Sequence, residues 1–233
     1  MSEQHDGFHE RGRQALLAHE EIWEQPPDPS SPRWGVSLVL RPDDAAAQRL
    51  DALASQVAQV AGPGHWPTGR IGSAHLTVRV LEPYRDPVPL DDPLVCRYAA
   101  AARRITDRPS SPEFAMTGLV VALGGVLAAA EPRNESATGL RALVESELGA
   151  DGHHEAVSYR GDLWWSTLLH FAGPVAHGAT LVDWVEDRRA LDLGVFRARS
   201  LDLVRYEYDG GATTPVVLAT MPLAGPLPGQ LEG

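Results

Sequence analysis

Two stretches of this chain, ninety residues apart, limit what it can fold into more than any other part. Ala74 to Pro83 reads Ala-His-Leu-Thr-Val-Arg-Val-Leu-Glu-Pro, so apolar Leu76, Val78 and Val80 alternate with polar His75, Thr77 and Arg79. A period of two specifies a strand with one face in a core and the other turned away from it. Leu163 to Pro174 reads Leu-Trp-Trp-Ser-Thr-Leu-Leu-His-Phe-Ala-Gly-Pro. Aligned on Thr77 and Thr167, both are short apolar strands that end at a proline.

The polar face of the first strand carries chemistry. An imidazole moves protons near neutral pH, a hydroxyl donates to a developing oxyanion, and a guanidinium holds phosphate or carboxylate. Spacing of i, i+2 puts His75 and Thr77 on one face of a rigid element. In the second strand the residue two before the threonine is Trp165, which has no proton to give.

The rest of the chain supplies matching surroundings. Met1 to Arg33 reads as an N-terminal extension and linker, with a helix over Arg11–Gln25 ended by Pro26-Pro27-Asp28-Pro29. His5 and His9 in front of it read as part of a mobile tail. From Trp34 onward the order is a strand to Arg41, a helix after Pro42-Asp43-Asp44, the His75 strand and a helix opening at Asp92-Pro93. A hairpin around Gly124-Gly125, a helix near Ala137–Leu148, the Trp164 strand, a short helix and two closing strands complete it. Strands and helices do not alternate strictly. The expectation is therefore an α+β fold of two similar halves built on largely antiparallel sheets, with residues 34–233 forming the main domain.

Composition narrows the function classes. Formal net charge is −11, which argues against a broad grip on long nucleic acid and leaves room for a small ligand in an Arg-lined cleft. All 20 basic residues are Arg, so lysyl-adenylate and Schiff-base chemistry are excluded. Cys96 is the only cysteine and reads as a small core residue; with one cysteine there is no internal disulfide and no Cys-based zinc site. No stretch reaches the ~20 apolar residues of a membrane span, and the N-terminus is polar, so the expectation is a soluble, cytoplasmic protein. No Walker A loop, Gly-x-Ser-x-Gly elbow or His-Glu-x-x-His motif is present, and neither a metal nor a cofactor is expected.

On His75-Leu76-Thr77 and the threonine of the second strand, the stretch from Trp34 to Leu223 resembles the two-histidine phosphoesterase superfamily, the 2′-5′ RNA ligase and cyclic phosphodiesterase-like proteins. The resemblance implies a two-lobed, pseudo-symmetric fold with flanking helices around a central cleft, each lobe giving one His-x-Thr/Ser strand. It implies metal-independent acid/base chemistry on a 2′,3′-cyclic or 2′-5′ phosphodiester of a small nucleotide or oligonucleotide. His75 would be the general base or acid and Thr77 and Thr167 the phosphate ligands, with Arg79 in support. Trp165 departs from the pattern where a second histidine belongs.

Several residues are candidates to fill that gap or to bind substrate. His170 lies three beyond Thr167, so regular alternation turns it to the opposite face. A one-residue slip of register would instead bring Ser166 and His170 to the cleft and bury Trp165 and Thr167. His153 and His154 sit in the loop before the strand. Trp165 offers a ring on which a planar base can stack, worth ~1–3 kcal/mol. The alternatives to an enzyme are a non-catalytic module binding a nucleotide or other small molecule in the same cleft, or an enzyme turned to a non-phosphodiester substrate.

Overall fold

The structure is a computed structural model that describes residues 2–29, 33–106, 110–152 and 163–223. Helix α1 spans Glu3–Ala18, β1 Ser37–Pro42, α2 Asp44–Ala61, β2 Trp66–Pro67, β3 Leu76–Val80 and α3 Pro93–Thr106. The hairpin β4 (Glu113–Ala122) and β5 (Gly125–Pro132) is followed by α4 (Glu135–Thr138) and α5 (Leu140–Leu148). Strand β6 (Trp164–His170), α6 (Gly178–Glu186), β7 (Val195–Tyr208) and β8 (Thr213–Pro222) complete the chain. The fold is α+β, and every strand pairing is antiparallel.

One curled sheet runs β2-β6-β5-β4-β7-β1-β3, with β8 added on β7. The long β7 joins the halves: Val195–Arg197 pairs with β4, and Ala198 to Val204 pairs with β1. Thus β3 ends the path on one side and β2 with β6 ends it on the other. The curl brings β3 and β6 into contact without pairing them. The outer faces are covered by helices: α2 buries Leu50, Leu53, Ala54 and Val57, and α3 buries Tyr98, Ala102 and Ile105. Asp43 caps α2 by accepting from Ala46 N–H at 2.8 Å, as the Pro-Asp-Asp sequence leads one to expect. Cys96, read as a core residue, is exposed, because the apolar stripe of α3 runs through Val95 and Tyr98 on either side of it.

The N-terminal region departs most from expectation. Helix α1 begins at Glu3 rather than Arg11 and stops at Ala18, where His19 turns left-handed (φ 57°). The Glu20 N–H bonds back to Ala15 O at 2.8 Å, closing the helix end, and leaves Ile22 and Trp23 outside it and exposed. His5 and His9 are buried, not solvated. His9 Nδ1 accepts from the Val121 N–H at 3.2 Å, so its Nε2–H donates to Glu186 at 2.8 Å. His5 Nε2–H donates to the Trp164 carbonyl at 3.0 Å, and burial lowers its pKa. Both rings satisfy backbone or carboxylate groups that would otherwise be costly to bury. A polar sequence cannot advertise this, since each ring is compensated by a partner more than a hundred residues away.

Gly12 allows the close approach of α1 to β4: a Cβ there would stand 2.3 Å from Val121 O. Gly7, on the same helix, would meet nothing nearer than the end of the Arg11 side chain at 3.6 Å. We expect Gly12→Ala to lose ~1–3 kcal/mol in urea unfolding as the helix is forced off the strand. Gly7→Ala should instead gain up to ~1 kcal/mol from helix propensity. Equal midpoints for the two variants would contradict this docking.

Candidate functional site

The two threonine strands face a shared cavity of about 780 Å³. His75, Thr77, Trp165, Thr167 and His170 all line it, joined by Tyr206 from β7. The cavity walls also include Gln4, Phe8 and Arg11 of α1 and Glu24 of the segment after it.

How three residues of β6 reach one face is a matter of backbone geometry. Opposite β5, Thr167 pairs with Leu127 and Leu169 with Val126, so Leu168 has no partner of its own. This extra residue is a β-bulge, and it resets the alternation. Trp165 and Thr167 face the cavity before it, and His170 faces the cavity after it. The two registers expected from the sequence were exclusive; the bulge combines the cavity-facing members of both. The Leu168 carbonyl that the bulge releases accepts from Thr68 N–H at 2.9 Å and Gly69 N–H at 3.3 Å. Ser166 is the exception, fully buried on the core side with its hydroxyl unpartnered, so it does not line the cavity.

Strand β3 repeats the device. Arg79 pairs with Leu38 and Thr77 with Val39, leaving Val78 as the extra residue. Past the bulge Val80 lines the cavity, whereas Arg79 is turned away and donates to the Gly152 carbonyl at 2.7 Å. Arg79 therefore does not reach the cavity, because the bulge shifts it off the face that plain alternation assigns it. The two strands correspond position by position: His75 to Trp165, Thr77 to Thr167, and Val80 to His170.

His75 is held in one tautomer. Its Nδ1–H donates to the Ser73 carbonyl at 2.6 Å, so Nε2 carries the lone pair. The Tyr206 hydroxyl lies 3.5 Å from Nε2. Burial pushes the His75 pKa down to about 4; the Ser73 bond opposes this, and the charges of Arg41 and His170 add to it. The ring is therefore neutral near pH 7 and able to accept a proton. The Thr77 and Thr167 hydroxyls make no hydrogen bond to any described residue. Together these groups offer one proton acceptor and two free donors from two rigid strands.

Trp165 is half-buried and stacks on Phe8 of α1, with ring centroids 5.8 Å apart and planes 25° apart. The pair packs on Val120, Ala122, Leu127 and Ala129. On the other side of the cavity Trp34 meets His170 edge-on at 5.2 Å and Tyr206 at 5.4 Å. Trp164 lies in the core. His153 and His154 fall outside the described residues. Among the described residues no three His, Cys, Asp or Glu side chains are grouped to hold a metal ion, and no helix is long and apolar enough to cross a membrane.

Sequence reasoning missed Phe8, Glu24, Trp34 and Tyr206. None stands in a motif, and only the curl of the sheet and the packing of the N-terminal segment bring them to the cavity.

No family model and no curated protein sequence matches the chain. Solved structures do. TT0787 of Thermus thermophilus matches with a TM-score of 0.58 and 16% identity, over 82% of this chain and 98% of its own. E. coli LigT complexed with 3′-AMP matches with a TM-score of 0.56 and 12% identity, over 82% and 99%. LigT in apo form gives 0.54 and 12%, over 84% and 100%. The likeness is one of fold: this chain shares the fold of TT0787 and LigT.

Proposed function

We propose that this chain acts on a phosphodiester of a small nucleotide-like molecule, a 2′,3′-cyclic or 2′-5′ linkage, by acid/base chemistry that requires no metal. The observation that carries this reading is the convergence of His75 Nε2 with the free hydroxyls of Thr77 and Thr167 on one cavity. The cavity volume of about 780 Å³ suits a mononucleotide rather than a polymer, in keeping with the net charge of −11. Phe8, Trp165 and Trp34 offer ring surfaces for a base. LigT, which shares the fold, was crystallised with 3′-AMP, with phosphate and with ATP.

In this reading His75 removes the proton of the attacking oxygen while the two threonines hold the phosphoryl oxygens. General base catalysis is worth ~10²–10⁴-fold. A second reading, a binding module without turnover, is favoured by one observation: the position that mirrors His75 holds Trp165, engaged in a stack.

The test is incubation with a panel of 2′,3′-cyclic nucleotides, following the phosphomonoester product. We expect turnover, unchanged by EDTA. Loss in chelator with recovery on adding a divalent ion would contradict the metal-independent reading. Binding of 3′-AMP without turnover would favour the binding module. Neither binding nor turnover would point to a ligand of another class.

A further inference from the structure

We propose that His170 and Glu24 form the second proton-transfer pair of this cavity, with Glu24 the positioning residue that keeps the His170 Nε2 turned toward the substrate. The inference rests on the phosphodiester reading above and names the group that protonates the leaving oxygen. It assigns to the N-terminal segment a part in the chemistry.

The position that mirrors His75 is Trp165, which cannot donate a proton. His170 is brought to the same face by the bulge at Leu168, three residues past Thr167 instead of two before it. Its side chain is 14% exposed and that of Glu24 is 6% exposed. Their Nδ1 and Oε1 atoms are 3.6 Å apart, a separation that tightens in catalytic pairs as substrate binds. With Nδ1 facing the carboxylate, Nε2 is the nitrogen left for the cavity that His170 lines, and no hydrogen bond to it is made by the described residues. The edge-on contact with Trp34 limits the rotation of the ring.

Glu24 is placed by backbone bonds. Ile22 N–H donates to Leu123 O at 2.8 Å and Glu24 N–H to Phe171 O at 2.7 Å, which clips the segment onto the end of β6 and the β4–β5 turn. Burial works against charge on the Glu24 carboxyl. His170 and then Arg33 outweigh it and hold the carboxyl below its ordinary range. Arg33 Nη2 reaches the same Oε1 at 2.6 Å. The other groups facing His170 are His75 across the cavity, whose pKa its charge lowers, and Tyr206, which touches both Trp34 and His75. The Glu24 carboxylate sets a negative charge beside Nδ1 of the His170 ring, and replacing it by a neutral amide removes that charge.

For a 2′,3′-cyclic nucleotide the step balances as follows. Water oxygen bonds to phosphorus and its proton passes to His75 Nε2. The bond from phosphorus to one ribose oxygen breaks, and that oxygen takes the proton from His170 Nε2. One water is consumed and a phosphomonoester is formed. His75 then loses a proton to solvent and His170 regains one.

The experiment measures kcat and KM for 2′,3′-cyclic AMP from pH 5 to 9, with 3′-AMP affinity by calorimetry, in the chain of 233 residues. His170→Gln should lower kcat ~10²-fold or more while 3′-AMP affinity stays within about threefold. Glu24→Gln should lower kcat about tenfold and move the alkaline limb of its pH profile to lower pH, and Glu24→Asp should restore part of both. A merely structural Glu24 would not move the limb. Glu24→Gln with an unshifted profile, or His170→Gln with wild-type kcat, overturns this inference and leaves the phosphodiester reading standing. A wild-type protein inert toward every cyclic nucleotide overturns both.

Discussion

Replacing His75 by alanine is expected to reduce turnover of a 2′,3′-cyclic nucleotide by ~10²-fold or more while leaving 3′-AMP binding within a few-fold of wild type. The reason lies in the tautomer. The Ser73 carbonyl fixes the Nδ1 proton, so Nε2 is the acceptor, and burial keeps the ring neutral down to about pH 4. A base must be unprotonated to work. The acid limb of kcat/KM should therefore lie near pH 4, well below the value near 6.5 of an exposed histidine. A bound phosphodiester brings a negative charge to the ring and favours its protonated form. The acid limb of kcat should accordingly lie at higher pH than that of kcat/KM. In His75→Ala both limbs disappear. Wild-type kcat in this variant, or an acid limb of kcat/KM near 6.5, would remove His75 from the proposed chemistry.

The second large effect concerns the strut beneath that ring. Arg41 Nε lies 3.3 Å from Asp202 Oδ2, and both side chains are largely buried, at 16% and 6% exposed. The same guanidinium donates to the carbonyls of Ala74, at 3.3 Å, and Gly72. It thereby ties β7 to the turn whose Ser73 carbonyl holds His75. Arg41→Met strands a buried carboxylate and frees that turn, and it is expected to cost ~3–5 kcal/mol in urea unfolding. Removing both charges, as in Arg41→Met with Asp202→Leu, should recover most of the loss. Arg41→Lys should not, because a single ammonium cannot span the carboxylate and two carbonyls. The Arg41 charge also helps hold the His75 pKa down. Without it the acid limb should move to higher pH in whatever folded protein remains. A loss under ~1 kcal/mol in Arg41→Met would show that water already screens the pair.

The element order was legible from the sequence because it depends on local signals. Asp43 before a 3.6-residue stripe, Pro93 at a helix start and Gly124-Gly125 between apolar runs each act within a few residues. Antiparallel α+β architecture followed from that order. So did the likeness of the two threonine strands, since i, i+2 spacing on a strand is a geometric certainty until something interrupts it. His75, Thr77 and Thr167 all line the cavity as the spacing places them.

What interrupts it could not be read. The bulges at Val78 and Leu168 have no glycine or proline to announce them. They exist because segments distant in the chain take up the released backbone groups, as Thr68 and Gly69 do at Leu168. Each bulge moves one candidate: Arg79 out of the cavity and His170 into it. The N-terminal extension was misjudged for a related reason. His5 and His9 are polar in sequence and become buriable only once Trp164, Val121 and Glu186 supply partners.

The sequence by itself determined the order of the main strands and helices after residue 34 and the chemistry available on His75, Thr77 and Thr167, because those follow from the backbone period and the nature of the side chains. Only the tertiary structure decided that a ring at 170 shares their cavity while Ser166 does not, and that a carboxylate at 24 stands beside it. Register shifts and long-range burial set those outcomes. Both depend on which distant backbone groups find partners, and no window of local sequence contains that choice.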